Sequence, residues 1–351
     1  MGESRLTSHK TWSRFDLKKS ESSRILSIFL LPTIENFNNF GTKCQHHRIH
    51  QNLFSHSFLI QTYIDVKNNK NQICWLVEKS HRDIEGKNQG CHSFQQFLDT
   101  KQYSKNGILR YERIFGEDFL STGGMETTVK YCERLNLTSD MKVLDIGHGI
   151  GGSPFYMNKI SGCEVVGIDL SVNMVEISLE KLEKYKLQDK IRFEVADCTK
   201  RNFPDNSFDV IYSRDTILHI SDKPALFRNF YRWLKPGGQI LITDYCAADQ
   251  STWNAEFAAY VASRGYDLHT PAAYGKMLEG AGFSGVDATD ATVYWRDILT
   301  REQAKIRGVE RASFLEDFSE KDLEDLVQGW ARKVVRVDEG MQKWGVFYGK
   351  K

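Results

Sequence analysis

The segment KVLDIGHGIGG, residues 142–152, constrains the fold of this chain more than any other. An apolar run ends there in glycines at alternating positions, Gly147, Gly149 and Gly151, and a helix-like stretch follows. Glycine adopts backbone angles that a Cβ would forbid, so the main chain can approach a ligand closely in front of a helix N-terminus. The pattern predicts a strand, a ligand-binding loop and a helix. Taken alone, it also fits a dinucleotide fingerprint or a turn that binds nothing.

Further apolar runs after this loop predict the other strands of a parallel sheet. The segments between them, such as 172–185 and 223–234, carry apolar residues at three- and four-residue spacing and predict helices. Strands alternating with helices of this length predict a doubly wound, Rossmann-like α/β sheet, with a ligand above the carboxyl ends of the strands. The predicted strands after the first are residues 164–171, 191–198, 208–215 and 234–245.

Two acids follow the second and third predicted strands, Asp169 and Asp197. A carboxylate at the tip of the second strand can reach ribose hydroxyls, and helix capping is the alternative role for both acids. A nicotinamide dehydrogenase would normally repeat the mononucleotide unit. This chain instead has one glycine loop, the acid after strand three and a Lys-Pro-Gly-Gly turn before strand five. The combination resembles the class I methyltransferases that use S-adenosylmethionine.

That resemblance implies a set of cofactor-binding positions. In this family the glycine loop holds the methionine end, the strand-two acid binds the ribose, and the strand-three acid contacts the adenine. We expect a lid formed by residues 101–120 to cover the cofactor, and Arg214 to border the adenosine. The expected cofactor-binding residues are Leu120, Ser121, Gly147, Gly149, Asp169, Leu170, Asp197, Cys198 and Arg214.

Composition excludes several classes of function. The 47 basic and 46 acidic side chains give a formal net charge of +1, which offers no electrostatic case for nucleic-acid binding. Seven cysteines without metal-like pair spacing suit a reducing compartment. The apolar run at residues 25–32 is much shorter than the about 20 residues that span a bilayer. We expect a cytoplasmic, monomeric enzyme without stable membrane association.

The chain divides near residue 100. Residues 1–55 resemble nothing familiar and are expected to be poorly ordered. Residues 57–79 contain two strand-like runs around an Asn-rich turn. The cluster CQHHRIH, residues 44–50, suggests zinc but lacks the second half that a structural site needs, so no metal is expected. The catalytic domain is predicted at residues 101–351.

From Gln102 onward the resemblance becomes narrower. The segments QYSKNGILRYERIFGEDFLSTGG, IYSRDTILHI, ITDYC, SRGYDLH, and GWARKVV through QKWGVF occur in this order. Together they resemble the phosphoethanolamine N-methyltransferases, which make phosphocholine. The resemblance covers nearly all of residues 98–351 and is closest to the second methyltransferase half of the two-domain plant-type enzymes. QTYIDVKNNKNQICW resembles the closing hairpin of their first half, so residues 56–100 are interpreted as a remnant plus linker.

The resemblance also implies roles at the substrate. The amine must lose a proton, a task that falls to Tyr103 and His219 as a pair, and the phosphate needs converging cations and hydroxyls. Without the family context, His219 could equally be a core histidine. The expected catalytic residues are Tyr103, Asp215 and His219, and the expected substrate-binding residues are Gln102, Tyr111, Asp215, Tyr245, Arg264, Tyr266 and Lys333.

His148 departs from the family pattern, in which a small residue is expected at this point of the glycine loop. It could approach the cofactor carboxylate, face solvent or serve the packing of the loop. For the whole chain, the alternative hypothesis is a catalytically silent, cofactor-binding regulatory remnant of a two-domain methyltransferase. A lipid or sterol methyltransferase is disfavoured because the sequence shows no obvious amphipathic face for a membrane.

Overall fold

The computed structural model describes the backbone of residues 58–64 and 73–79, and residues 94–351 in full. The first stretch forms an antiparallel hairpin of β1 (Phe58–Ile64) and β2 (Ile73–Lys79). The two predicted strand-like runs are therefore confirmed. Their interpretation as a remnant stays a prediction, and the histidine-rich cluster and residues 1–55 lie outside the described residues.

The chain splits into two compact units, residues 1–89 and 90–351, and the second contains a seven-stranded sheet. Its strands are β3 (Lys142–Ile146), β4 (Glu164–Asp169), β5 (Ile191–Val195), β6 (Phe208–Arg214), β7 (Leu234–Ala247), β8 (Ser284–Asp290) and β9 (Gln342–Lys350). Their order is β5-β4-β3-β6-β7-β9-β8, in which β3 to β7 are parallel and β9 is antiparallel to both of its neighbours. The predicted doubly wound α/β fold is confirmed.

Helices cover the sheet and build the region above its carboxyl edge. They are α1 (Phe94–Phe97), which continues into a π-helical turn, α2 (Lys105–Phe115), α3 (Gly124–Cys132), α4 (Gly152–Ser161), α5 (Val172–Tyr185), α6 (Lys223–Trp233), α7 (Ala255–Arg264), α8 (Pro271–Gly280), α9 (Thr292–Arg307), α10 (Arg311–Asp317) and α11 (Glu320–Asp338). None of the helices in the described part of the chain is long and apolar enough to cross a membrane.

Three predicted strands, 164–171, 191–198 and 208–215, run past the observed ones at the carboxyl edge, whereas β7 extends two residues beyond the predicted 234–245. β4 ends at Asp169 because the next residues turn into α5: the Asp169 carboxylate accepts from the amide of Ser171, at 2.9 Å. Ser171 in turn caps the helix, its hydroxyl accepting from the amide of Met174 at 3.3 Å. The helix predicted at 172–185 is observed with those bounds. The edge where each strand gives way to a turn is also where the functional side chains lie.

The predicted lid contains the helix α2, which ion pairs hold on two sides. Lys181 of α5 bridges Glu112 of α2 and Asp118 beyond it, at 2.8 and 2.7 Å. On the other side of α2, Arg110 pairs with Asp322 of α11 at 2.5 Å. These side chains are only partly exposed, so solvent screens the pairs less than it would on an open surface. α2 is thereby fixed between α5 and α11, above the carboxyl edge of the sheet.

We expect a chain that begins at Gly90 to fold like the full-length protein, because all seven strands of the large sheet lie beyond it. A chain that begins at Lys101 would lose Leu98, which is only 4% exposed. Removing this buried leucine should cost about 1.5 to 3 kcal/mol. The free energy of unfolding from urea titration should separate the two truncations. Equal stability of both would show that the segment before α2 does not belong to the core.

Candidate active site

A cleft of about 990 Å³, part of it open to solvent, lies at the carboxyl edge of the sheet. Its floor is formed by the ends of β3, β4 and β6, and its roof by residues from α1 to the loop before α3. Twelve of the predicted site residues line it: Tyr103, Leu120, Ser121, Gly147, Gly149, Asp169, Leu170, Asp197, Cys198, Arg214, Asp215 and His219.

The conformation of the glycine loop at Gly147 strongly favours glycine. Its φ is +75°, and a Cβ built there would lie 2.1 Å from the hydroxyl oxygen of Thr216. The loop then passes Gly149, also at positive φ, and ends at Gly151, which precedes α4. Gly152 and Ser153, the first residues of α4, face the cleft. The backbone therefore approaches the space that a ligand would occupy, with a helix N-terminus directed toward it.

Asp169 supports this loop from β4. One carboxylate oxygen accepts from the Gly149 amide at 3.0 Å and the other from the Ser171 amide at 2.9 Å. A carboxylate has about four acceptor sites, so two remain for ligand hydroxyls. Burial raises the pKa of Asp169 to about 6, against the lowering effect of these amides. The residue that caps α5 is Ser171, so the capping alternative for Asp169 is wrong.

Asp197 is held differently, by a turn after β5. It accepts from the amide and hydroxyl of Thr199, at 2.9 and 2.6 Å, and pairs with Lys200 at 2.9 Å. Burial acts to raise the pKa of Asp197, but these partners hold it below its usual value. Asp197 therefore presents an ionised carboxylate next to Cys198 at the far end of the cleft.

Arg214 borders the cleft, but its guanidinium is turned into the protein. It donates to the hydroxyls of Thr243, Thr128 and Thr127 and to the carbonyl of Thr122, at 2.6 to 3.0 Å. These bonds fasten the segment before and within α3 to β6 and β7. A role of Arg214 toward the cofactor stays a prediction.

Asp215 follows Arg214 with φ +51°, a left-handed conformation unusual for aspartate. Its carboxylate accepts from the Thr122 amide at 3.0 Å and from the indole nitrogen of Trp344 in β9 at 2.8 Å. These contacts keep the acid at the junction of β6, β9 and the loop before α3. Backbone strain of this kind persists only where the surroundings over-determine it, and it is concentrated at functional sites.

Tyr103 and His219 both face the cleft, yet no hydrogen bond joins them. The Tyr103 hydroxyl accepts from the side-chain amide nitrogen, Nε2, of Gln102 at 3.1 Å. Neither ring nitrogen of His219 has a hydrogen-bond partner within the part of the chain that the structure describes. Burial first, and then the cations Lys223 and Arg264, lower the pKa of His219 to about 4. The imidazole is therefore neutral at physiological pH and can accept a proton.

The remaining predicted substrate residues lie behind this pair, in a second group that we call the basic compartment: Tyr111, Tyr245, Arg264, Tyr266 and Lys333. The Tyr266 ring is 5.0 Å from the His219 ring, and the Lys333 ammonium lies 3.4 Å from the Tyr245 hydroxyl. Arg264 is partly buried beside Tyr266, Tyr260, Tyr111 and Tyr103. The exposed-face alternative for Arg264 is therefore wrong.

Two charged residues of this compartment were not predicted, Glu302 and Arg336. The Glu302 carboxylate accepts from the Gly123 amide at 3.0 Å and the Trp330 indole at 2.8 Å, next to Lys333. The guanidinium of Arg336 lies 3.8 Å from the Tyr260 ring. Arg336 follows Lys333 by one helical turn of α11, a spacing that could have indicated a shared face. Glu302 carries no comparable signal in the sequence.

The structure also gives new information on two residues of the glycine-loop region, Asp145 and His148. Asp145 of β3 is 2% exposed and lines the cleft, and burial raises its pKa well above the usual value. Its place directly before the glycine loop was the available signal. His148 is 6% exposed, so a solvent-facing role is wrong: its ring stacks on Phe193 at 4.2 Å, in space left by Gly167. Among the described residues, no cluster suits a metal ion.

The comparisons with known proteins agree with this geometry. A family model described as a methyltransferase domain matches residues 144–242. Phosphoethanolamine N-methyltransferase 3 of Arabidopsis thaliana is 52% identical over 83% of this chain and 58% of its own length. The phosphoethanolamine N-methyltransferase of Plasmodium falciparum is 41% identical over 74% of this chain and 97% of its own length. This chain belongs to the phosphoethanolamine N-methyltransferase family.

A solved structure of the same family shows the same fold. Phosphoethanolamine N-methyltransferase 2 of Haemonchus contortus, in complex with phosphomonomethylethanolamine and S-adenosylhomocysteine, aligns with a TM-score of 0.74. It is 32% identical, and the alignment covers 85% of this chain and 70% of that one. The chain thus spans little more than half the length of its plant relatives, although it matches the Plasmodium relative almost throughout.

The close approach at Gly147 yields a stability prediction with a matched control. Gly147 and Gly340 have nearly the same φ, +75° and +73°, but a Cβ at Gly340 would meet nothing within 4 Å. Gly340→Ala should cost only the left-handed conformation, about 1 to 2 kcal/mol. Gly147→Ala should cost at least about 2 kcal/mol more because Thr216 must also move. Urea unfolding measures both, and equal losses would contradict the tight packing of the loop.

Proposed function

We propose that this chain transfers methyl groups from S-adenosylmethionine to the nitrogen of phosphobases and forms phosphocholine, the headgroup precursor for phosphatidylcholine synthesis. The observation that carries the proposal is the adjacency of two unlike sites. The cleft with the glycine loop and Asp169 meets the basic compartment of Arg264 and Lys333 at Tyr103, Asp215 and His219. A substrate with an amine at one end and a phosphate at the other suits this arrangement.

S-adenosylmethionine fits the residues of the cleft. The backbone at Gly147 leaves no room for a Cβ, and Asp169 keeps two acceptor sites for ribose hydroxyls. We assign Asp197, which lines the cleft, to the adenine, and Leu120 and Ser121 to the roof over the cofactor. When bound, the cofactor supplies a methyl group on a sulfonium, the electrophile of the reaction.

The amine end determines the proton chemistry. An alkyl amine has a solution pKa near 10, so only about one molecule in a thousand is neutral at pH 7. The nitrogen must give up a proton before its lone pair can form the new carbon–nitrogen bond. His219 is neutral and has no protein partner among the described residues, so it can accept this proton. Asp215 is placed to orient the amine, and the tyrosine faces to stabilise the methylated, cationic nitrogen.

The phosphate end requires cations. Burial lowers the pKa of Lys333, and the carboxylate of Glu302 opposes this effect. A phosphate dianion would hold the ammonium in its charged form in the same way. Arg264 and the hydroxyls of Tyr245 and Tyr266 are the other donors that we assign to the phosphate, by charge-assisted hydrogen bonds.

We also propose that the protein works in the cytoplasm as a monomer. The cysteines Cys132, Cys163, Cys198 and Cys246 are buried free thiols, which suits a reducing compartment. The cleft and the basic compartment are both built from one chain, so a partner subunit is not required to complete the site.

The first functional prediction concerns the cofactor. Asp169→Ala removes two charge-assisted hydrogen bonds to the ribose, each worth about 1.5 to 3 kcal/mol. Titration calorimetry with S-adenosylhomocysteine should show binding weakened at least about tenfold, whereas Asp249→Ala, at an exposed turn, should bind normally. For the wild type, affinity should fall as the pH drops below about 6, where Asp169 becomes protonated. Unchanged affinity of the Asp169 variant would contradict the assignment.

The second functional prediction concerns the acceptor. With S-adenosylmethionine, phosphomonomethylethanolamine and phosphodimethylethanolamine should be methylated faster than phosphoethanolamine. Each added methyl group contributes apolar and cation–π contact against the tyrosines, while the primary amine loses more hydration. Mass spectrometry of the three reactions measures this. Equal rates with all three phosphobases would refute the preference for the later methylations but would leave the proposed enzyme class unaffected. If none of the three is methylated, the chain is better explained as a silent cofactor-binding remnant.

The same assay examines the basic compartment. Arg264→Ala or Lys333→Ala should raise KM for the phosphobase at least about tenfold, because a charge-assisted bond to phosphate is lost. Arg301→Ala is the matched control, since Arg301 is exposed and pairs with Glu126 and Asp297 on the surface. An unchanged KM in both compartment variants would place the phosphate elsewhere.

A further inference from the structure

Two loops that carry functional residues are joined by one buried lysine, Lys223. Lys223 is the first residue of α6 and is only 1% exposed. It donates to the carbonyl of Ile220 at 2.8 Å, to the carbonyl of Asp267 at 2.6 Å and to the carboxylate of Asp267 at 2.9 Å. An ammonium has three hydrogens to donate, so all of them are used.

The first loop is the short turn Ile217–His219, and it carries His219 into the cleft. The second loop follows α7 and carries Tyr266 next to Asp267. A backbone hydrogen bond from the Asp267 amide to the Leu218 carbonyl, at 2.8 Å, adds to the lysine contacts. The two loops are therefore linked by one direct hydrogen bond and, through Lys223, by three more, one of which is also an ion pair. The rings of His219 and Tyr266, 5.0 Å apart, lie at this junction.

The charge of Lys223 also acts on His219. The groups around the imidazole are the ring of Phe94 from α1, the Tyr266 ring, Arg264 of α7 and Lys223 itself, with Tyr103 across the cleft. Burial has the largest effect on the pKa of His219, and the positive charges of Lys223 and Arg264 lower it further. Arg264 is assigned to the phosphate and would be neutralised by it, whereas the Lys223 ammonium donates only to protein groups, the carbonyls of Ile220 and Asp267 and the Asp267 carboxylate.

A lysine this deeply buried needs compensation, and Asp267 supplies it. Its carboxylate also contacts the ring of His269 at 2.9 Å, and it remains partly exposed. Burial acts to raise the pKa of Asp267, but Lys223 and His269 hold it below its usual value. The Asp267 carboxylate therefore stays ionised and offsets the buried ammonium of Lys223.

We propose that Lys223 is a positioning residue for methyl transfer, which fixes His219 relative to the segment with Tyr266 and Arg264 and supplies a buried cation at this junction. The inference rests on the proposed function, in which His219 accepts the proton of the amine. A buried ion pair with a purely structural role would hold the loops together but would leave the protonation of His219 unaffected.

The experiment uses three full-length variants that change the same contact in different ways. Lys223→Gln removes the charge, Lys223→Arg keeps it, and Asp267→Asn keeps the ammonium but removes its carboxylate partner. The pH dependence of kcat/KM for phosphodimethylethanolamine is measured for each, and circular dichroism and calorimetry with S-adenosylhomocysteine show which variants are folded. In Lys223→Gln, the acidic limb of the profile should move up by about one pH unit or more.

In Asp267→Asn and Lys223→Arg, the acidic limb of the kcat/KM profile should lie at or below its wild-type pH. The loosened loops of Asp267→Asn should nevertheless raise KM for the phosphobase. The proposal would be overturned if the acidic limb stayed at the wild-type pH in all three variants, or if it moved up equally in all three. NMR titration of the His219 ring, assigned with His219→Ala, tests the electrostatic part without turnover. A higher pKa of His219 in Lys223→Gln would support the inference even in a chain that methylates no phosphobase, a result that would refute only the proposed function.

Discussion

The site depends on the position of one carboxylate, that of Asp215. This residue is at the end of β6 in a left-handed conformation, and its two oxygens accept from Thr122 and Trp344. These contacts connect the roof of the cleft, the parallel half of the sheet and the antiparallel strand β9. A left-handed aspartate costs about 1 to 3 kcal/mol, which only such a network can maintain. The cleft and the basic compartment meet at this residue.

Opposite charges lie on the two sides of Asp215. Asp169 and Asp197 line the cleft, while Arg264 and Lys333 lie in the basic compartment. An acidic cleft favours a ligand that carries a sulfonium and an ammonium, and the compartment favours a phosphate. Complementary fields of this kind contribute to specificity and to the direction in which a ligand binds. We infer that charge, more than shape, orients the substrate with its amine toward the cleft.

The sequence alone was sufficient to predict the parts of the fold that depend on local sequence patterns. The glycine loop, the parallel strands and the bounds of α5 follow from periodicity and turn residues, and the cofactor residues follow from a family motif of consecutive positions. The prediction did not include β8 and β9, because β9 inserts between β7 and β8 through pairings distant in sequence. Strand pairing over such distances has no local signature.

The residues that support the site were harder to find than those that line it. The hydrogen-bond partners of the Glu302 carboxylate lie 28 and 179 positions away in the chain. Those of the Lys223 ammonium lie 3 and 44 positions away. Nothing about a glutamate in α9 or a lysine at a helix start distinguishes it from a solvated surface residue. For Arg214 the family resemblance suggested a place beside the adenosine, whereas the structure shows its guanidinium bonded to the hydroxyls of Thr127 and Thr128 in α3.

On the proposed function, one phosphobase molecule occupies both sides of Asp215, with its nitrogen in the cleft and its phosphate in the basic compartment. A crystal structure of the full chain with S-adenosylhomocysteine and phosphocholine tests it most directly. We expect the phosphate oxygens within hydrogen-bonding distance of Arg264 and Lys333, and the quaternary nitrogen beside Asp215 and Tyr103. Phosphocholine bound with its phosphate away from both cations, or with its nitrogen outside the cleft, would contradict the account.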